Sequence, residues 1–391
     1  MKTINIGHNY FIVGGSDRVL VETVKLMNDN GHEAIPFCSK NRNTLNTKYE
    51  KYFVNSISTI KPNISSLHTF FYNFDAVKKL ESLLDMHPDI SIAHLHIYYG
   101  KITTSILSVL KNRNIKVIQS LHEYKLACPV YTMERNGDVC KMCIKGSFYN
   151  CVKYKCKNES FSQSLVMSLE SYFSRFMGDR KKIDMFVSVS RFHKEIMIES
   201  GISSSKIQVL HNFVDVNSIP YIREHDGYFL YFGRIEKLKG IDTLLSAFSK
   251  TKHKLIIVGD GSYKEHLINS IRDISNIEYL GFKSGNELNK IISRAVGVIV
   301  PSEWYENCPM NVLEAKAYGK PVIGTCIGGI PELINDGKDG YIIPVKSPDL
   351  LAEKVELVFD NFHIFSKNSR TDCEERFSKE TYYSKLMTIY S

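Results

Sequence analysis

IVPSEWYENCPMNVLEAKAYGKPVIGTCIGGIPELINDGKDGYIIP, from Ile299 to Pro344, is the stretch on which the reading of this chain turns. It is entered through Val296 to Val300, an apolar, β-branched run of strand length. Pro301 and Ser302 end that strand, and Glu303, Trp304, Tyr305 and Glu306 occupy the loop behind it. Asn307 and Pro309 mark a helix start, NVLEAKAY an amphipathic helix, and Gly319 its stop. PVIGT is the next short strand, and GGIPELI a glycine turn leading into another helix. Strand, loop, helix and strand in this order build a doubly wound α/β domain.

Glu306 and Glu314 flank the start of that helix, one before it and one a turn or two inside it. A helix N-terminus carries free amides and attracts anions. Amides for a phosphate together with carboxylates for sugar hydroxyls equip a site for a nucleotide sugar. The competing reading, two ordinary surface glutamates, is outweighed by the glycine turns around them.

The chain of 391 residues suits two domains with separate cores. MKTINIG lacks a basic-then-apolar leader pattern, and no apolar run reaches membrane-spanning length, so a cytoplasmic protein is expected. Nine cysteines then read as thiols or metal ligands rather than disulfides. The net charge of +8 is unevenly spread. Residues 1–210 carry 28 Lys and Arg against 18 Asp and Glu, whereas the remainder carries 22 against 24. A basic N-terminal half fits an anionic acceptor, an acidic membrane surface or a solvated face. No nucleic-acid-binding spacing is present, so no nucleic-acid partner is expected.

Taken in order, TINIGHNYFIV reads as a strand, followed by the turn at Gly14 and Gly15 and a helix from Arg18. These glycines let a ligand approach the backbone, although G-x-G-x-x-G is absent. Glu33 to Cys38 is a second strand, and residues 64–86 an aromatic-rich helical stretch that reads as core. Ser91 to Ile97 is a strand presenting His94 and His96 to one side, as pocket lining rather than a metal pair. Ile115 to Leu121 leads to His122, at the strand end where ligands bind in such sheets. Beyond the strand at 227–232, Gly233, Arg234, Lys237, Lys239 and Gly240 form a cationic, glycine-flanked loop suited to a departing diphosphate. Gly259 to Gly261 and Gly281 to Lys283 are further turns at strand ends.

Together these motifs resemble the family 4 glycosyltransferases of the GT-B fold. Glu306-x7-Glu314 matches that family's acid pair, AYGKPVIGT and GGIPELI follow its pattern, and GRIEKLKG from Gly233 to Gly240 matches its GR-x4-KG motif. His122-Glu123-Tyr124 resembles the family's H-D-Y/F form with Glu in place of Asp, and Gly14-Gly15 its N-terminal turn. The likeness is strong over 228–344 and weak between 40 and 90. It implies two Rossmann-like domains facing across a cleft: residues 1–210 for the acceptor, residues 211–372 for the donor, and residues 373–391 as a helix crossing back. It implies a retaining transfer of a hexose from a UDP- or GDP-linked sugar to a glycan or polyprenyl-diphosphate-linked acceptor, as in capsule, O-antigen or exopolysaccharide synthesis. No cofactor is implied, and the absence of Asp-x-Asp gives no sign of a catalytic metal. Glu306 is assigned to the donor sugar, Glu314 to the ribose, and Arg234 and Lys239 to the phosphates with the amides near Asn307, Cys308, Pro309 and Met310. His122 contacts the sugar, Gly14 and Gly15 leave room for the acceptor, and Gly233, Gly259 and Phe282 border the nucleotide. A GT-B epimerase or phosphorylase, and a binding protein with a decayed site, are the rival readings.

Two segments stand outside these motifs. The insertion at 125–160 holds Cys128, Cys140, Cys143, Cys151 and Cys156. Cys140-x2-Cys143 has metal-ligand spacing, and Cys128, Cys140, Cys143 and Cys156 would make a structural Zn site with Cys151 spare, unless all remain free thiols. Residues 161–182 read as a basic amphipathic helix, which packs on its own domain or contacts a membrane face.

Overall fold

The computed structural model describes residues 1–55 and 67–391. The start of the aromatic stretch, residues 64–66, lies outside them. In chain order the strands are β1 (Lys2–Ile6), β2 (Glu33–Phe37), β3 (Ile92–Leu95), β4 (Lys116–Leu121), β5 (Glu134–Arg135), β6 (Asp138–Val139), β7 (Met185–Ser188) and β8 (Ile207–Val209). They continue as β9 (Tyr228–Phe232), β10 (Lys254–Val258), β11 (Ile277–Tyr279), β12 (Gly297–Val300), β13 (Val322–Thr325) and β14 (Gly340–Ile343). Two compact units result. One contains residues 1–133, 141–210 and 385–391, and the other residues 134–140 and 211–384.

Each unit is a six-stranded parallel sheet, ordered β2-β1-β3-β4-β7-β8 in the first and β11-β10-β9-β12-β13-β14 in the second. Helices must cover both faces of such a sheet, so its strands are buried along nearly their whole length rather than alternating. Tyr228, Phe229, Leu230, Tyr231 and Phe232 of β9 are all buried, as is every residue of β12. In each unit the strand order reverses once, between β1 and β3 and between β9 and β12. Crevices that bind ligands open beyond the C-terminal strand ends at such points. The expected Rossmann-like architecture is therefore present in both units.

Several elements differ from the sequence reading, beginning with the first strand, which ends at Ile6 rather than running through TINIGHNYFIV. GGIPELI forms a single 3-10 turn, Ile330–Leu333, rather than the expected helix. The helix Phe362–Arg376 escapes hydrophobic periodicity because it buries Ser366, Ser369 and Asp372 beside Phe362 and Phe365. The basic segment from residue 161 is one helix, Phe161–Phe176, that ends before Gly178 at φ +66° and restarts as Asp179–Lys182. The described aromatic stretch is two helices, Leu67–Phe71 and Phe74–Met86; the second buries Ala76, Leu80, Leu83 and Leu84.

The expected Zn ligands are corrected as well. Cys128, Cys143, Cys151 and Cys156 pack with Val130, Phe148 and Met167, so Cys151 belongs to the cluster and Cys140 does not. None of the nine cysteines is joined in a disulfide. Among the described residues no group of three or more His, Cys, Asp or Glu side chains is placed to hold a metal. Burial pushes the Cys151 thiol up to about 12, and these residues pack as small hydrophobes. Among the described residues no helix is long and apolar enough to cross a membrane.

Candidate functional site

The second unit builds its candidate site where β9 and β12 end. Gly233 follows β9 with φ +152°, and its N–H donates to Val258 O at 3.0 Å. Gly259 packs so closely on this turn that a Cβ there would stand 1.8 Å from Gly233 O. The cationic loop then passes through the 3-10 turn Lys237–Lys239 to Gly240, where a Cβ would meet Pro301 O at 1.9 Å. At φ +74° Gly240 lets the loop lie directly on the loop that follows β12.

That contact puts Lys239 against Glu306. Lys239 Nζ donates to Glu306 Oε1, and the two side chains keep only 16% and 12% of their exposure. The same ammonium lies 5.0 Å from the centroid of the Trp304 ring. Ser302 Oγ donates to Glu306 Oε1 at 3.2 Å, and Thr325 Oγ1 holds Ser302 O at 2.6 Å. Gly329 N donates to Glu306 O at 2.7 Å, which ties the acid's backbone to the GG turn. Glu306 is thus positioned from both ends.

The helix Met310–Ala317 starts immediately beyond. Its N-cap is Pro309, which has no side-chain group to cap the first amides, so the helix start carries their partial positive charge three residues beyond Glu306. Asn212 Nδ2 donates to Cys308 O at 3.1 Å, and Asn311 Nδ2 to Phe232 O at 3.2 Å, which locks the helix start onto β9. Burial pushes the Cys308 thiol up to about 12, so it stays protonated. Asn311 Oδ1 is buried with no hydrogen-bond partner among the described residues. Glu314 is half-buried on the second turn of this helix. Arg234 is exposed, its carbonyl held by Tyr231 OH at 2.7 Å. Phe282 is 70% exposed beyond the edge strand β11. The arrangement offers an anion a helix start and two cationic side chains, and offers hydroxyls two carboxylates.

The first unit carries the other predicted residues. His122 follows β4, and its Nε2 lies 2.9 Å from His96 Nδ1 with the rings stacked at 5.2 Å and 9°. His94 stacks on His96 at 4.6 Å, and its nitrogens reach Tyr390 OH and Ser120 Oγ, both at 2.8 Å. The tertiary fold thus supplies the third imidazole that the local sequence lacked, but a stacked column is not a ligand set. Burial holds His94 down to about 3 and His122 to about 4, so the column is neutral near pH 7. Glu123 moves the other way, up to about 7, through burial and the nearby charge of Glu170. Gly14 precedes the helix Gly15–Asp29 with φ −150°, and a Cβ there meets nothing within 4 Å. Packing does not demand glycine at this position; open space remains in front of it.

Sequence reasoning did not find Ser302, Trp304, Tyr231, Asn212 or Asn311 as parts of this site. Trp304, the chain's single tryptophan, was the one visible signal, two residues before Glu306.

Residues 13–218 match the family model described as Glycosyltransferase Family 4, and residues 218–379 match that of Glycosyl transferases group 1. The chain belongs to Glycosyltransferase Family 4. An uncharacterized glycosyltransferase of Methanocaldococcus jannaschii is 22% identical over 390 residues, covering 99% of this chain and 96% of its own. The O-antigen chain mannosyltransferase C of Escherichia coli is 25% identical over 207 residues, 51% of this chain and 54% of that protein. The structure of Anabaena HepE in complex with UDP-glucose superposes with a TM-score of 0.68 at 14% identity, over 100% of this chain and 99% of that one. This family 4 member has the GT-B fold, and it is a glycosyltransferase.

Proposed function

We propose that this enzyme moves a hexose, with retention at the anomeric carbon, from a UDP- or GDP-linked sugar to a hydroxyl of a glycan or lipid-linked acceptor. It would act in surface-polysaccharide synthesis, at the cytoplasmic face of a membrane. The observation that carries the reading is the placement of Lys239 and Glu306 beside the open start of the helix Met310–Ala317. Lys239, Arg234 and the helix amides then take the diphosphate and the charge that develops on it as the sugar departs. Glu306 accepts from the donor sugar near its reacting carbon, and Glu314 from the ribose. The leaving phosphate takes the acceptor's proton on the same face, so no protein nucleophile is required. To the first unit the reading gives the acceptor, with His122 touching the sugar and Gly14 and Gly15 leaving room. The UDP-glucose of the HepE complex and the O-antigen role of the mannosyltransferase relative support the donor and the pathway class.

A thermal-shift screen of UDP-, GDP- and ADP-sugars tests the donor first. One nucleotide class raises the melting temperature, and its labelled sugar then passes to a lipid-linked acceptor. Interconversion of the sugar without any acceptor would make the protein an epimerase, and no shift with any nucleotide would overturn the reading.

A further inference from the structure

The helix Phe161–Phe176 is packed inside out. The residues it buries are Ser164, Ser168, Glu170 and Ser171. Each finds a polar partner: Ser164 Oγ accepts from Lys157 N at 2.9 Å, Ser168 Oγ donates to Phe148 O at 2.9 Å, and Ser171 Oγ to Met167 O at 3.0 Å. Glu170 pairs with Lys125 at 2.6 Å, both nearly fully buried. Met167 packs on the cysteine cluster and Phe173 on Phe71, but the other large apolar side chains face the other way. Phe161 is 58% exposed, Leu165 37%, Leu169 49%, Tyr172 39% and Phe176 87%.

These five recur at intervals of four, four, three and four residues, so they fall within one stripe of the helix, about 22 Å long at 1.5 Å per residue. Tyr149, 59% exposed, extends the stripe sideways, its N–H donating to Tyr172 OH at 3.1 Å. A helix that hides its serines and shows its phenylalanines has not been shaped for water alone. The surrounding charge says what covers it. Residues 141–182 contain nine Lys and Arg and three acids. Two of those acids, Glu170 and Asp179, are buried in ion pairs with Lys125 and Lys182. That leaves Glu159 as the exposed acid of the segment, against exposed Lys141, Lys153, Lys155, Arg175 and Lys181.

We propose that this stripe is the face by which the enzyme lies on an anionic lipid surface, with Phe161, Leu165, Leu169, Tyr172 and Phe176 at the acyl boundary and the flanking cations on the headgroups. An apolar helix face framed by lysine and arginine is held by both terms at once, burial and attraction to negative lipid. The inference shares with the proposed function only the placement beside a membrane. It is tested without turnover.

The full chain is floated with vesicles of phosphatidylcholine alone and of phosphatidylcholine mixed with phosphatidylglycerol, beside the variant Leu165→Ser/Leu169→Ser/Phe176→Ser. The native chain floats with the mixed vesicles, and the variant's apparent Kd for them weakens by about tenfold or more. Hydrogen exchange across residues 161–177 slows when the mixed vesicles are added to the native chain. The substituted side chains are exposed, so the variant keeps its melting temperature and its response to nucleotide sugar, which separates this outcome from failure of the donor site. Equal flotation of the two proteins, flotation of neither, or a native dimer that the variant breaks would each overturn the proposal.

Discussion

Lys239 donates to Glu306 across 67 positions of sequence, and the same ammonium faces the Trp304 ring at 5.0 Å. A cation from one motif and an acid from another therefore share one half-buried place. Each neutralises the other in this structure, and the proposed nucleotide sugar would engage them separately.

Removing either partner leaves the other charge poorly solvated. Lys239→Ala and Glu306→Ala are each expected to lower transfer about a hundredfold or more. In denaturant unfolding, the double-mutant cycle should show a coupling of about 1–3 kcal/mol. Additive effects on stability, or unimpaired transfer in either single variant, would refute the pairing.

Two glycines should respond in opposite ways. Alanine at Gly240 would press its Cβ into Pro301 O at φ +74°, so Gly240→Ala is expected to destabilise by about 2 kcal/mol or more. Gly14→Ala meets only open space at an ordinary φ, and its stability should match the native chain while transfer falls. Melting curves and acceptor kinetics on the two variants decide this. An unstable Gly14→Ala protein would show that packing, not ligand space, requires that glycine.

The second unit depends on a buried lysine. Lys316 Nζ reaches Asp339 at 3.0 Å and Asp372 at 2.5 Å, and donates to Leu333 O at 2.8 Å. Burial alone would raise Asp372, but Lys316 holds it below the usual carboxylate range. Lys316→Met strands two carboxylates and is expected to cost about 3–5 kcal/mol of stability. Chemical unfolding of the variant measures this, and a loss below about 1 kcal/mol would contradict the network.

Acid should weaken the first unit. Burial holds His94 and His193 down to about 3 and His8 and His122 to about 4, whereas the unfolded chain binds those protons near pH 6.5. Their contribution is fully present above pH 6.5 and is lost as pH falls from there towards 4. Each histidine adds a slope of up to about 1.4 kcal/mol per pH unit. Glu123, raised to about 7, opposes them, because its contribution is lost as pH rises from about 4.5 to 7. Melting temperature should therefore climb between pH 4 and 6.5 in the native chain, and more steeply in Glu123→Gln. A flat profile over that range would contradict the neutral histidine column.

Much of the fold was legible because parallel strands are apolar on both faces and announce themselves as short runs such as YFLYF at 228–232. Glycine turns at 233, 259 and 281 then marked where strands gave way to loops, whereas β1 ends at Ile6, well before Gly14. What stayed hidden was whatever depended on polar packing. The helix Phe362–Arg376 buries serines, one of which, Ser369, donates to Asp339 O at 2.9 Å, and so carries no hydrophobic stripe. The helix Phe161–Phe176 carries a stripe, but on the face opposite to its packing, and composition cannot tell inside from outside. Of the site, the residue types were readable; that Lys239 touches Glu306, and that Asn212 and Asn311 pin the helix start, required the tertiary fold.

Residues 385–391 belong to the first unit, where Tyr390 OH meets His94 and the carbonyls of Ile389 and Tyr390 accept from Lys116 Nζ at 3.0 Å. During synthesis this segment emerges after residues 211–384 of the other unit. The first unit therefore waits, without this helical segment, until the other unit already has all its own residues. A product truncated just after residue 384 would keep the later-made half intact and leave the earlier-made half open to proteases, reversing the usual vectorial order.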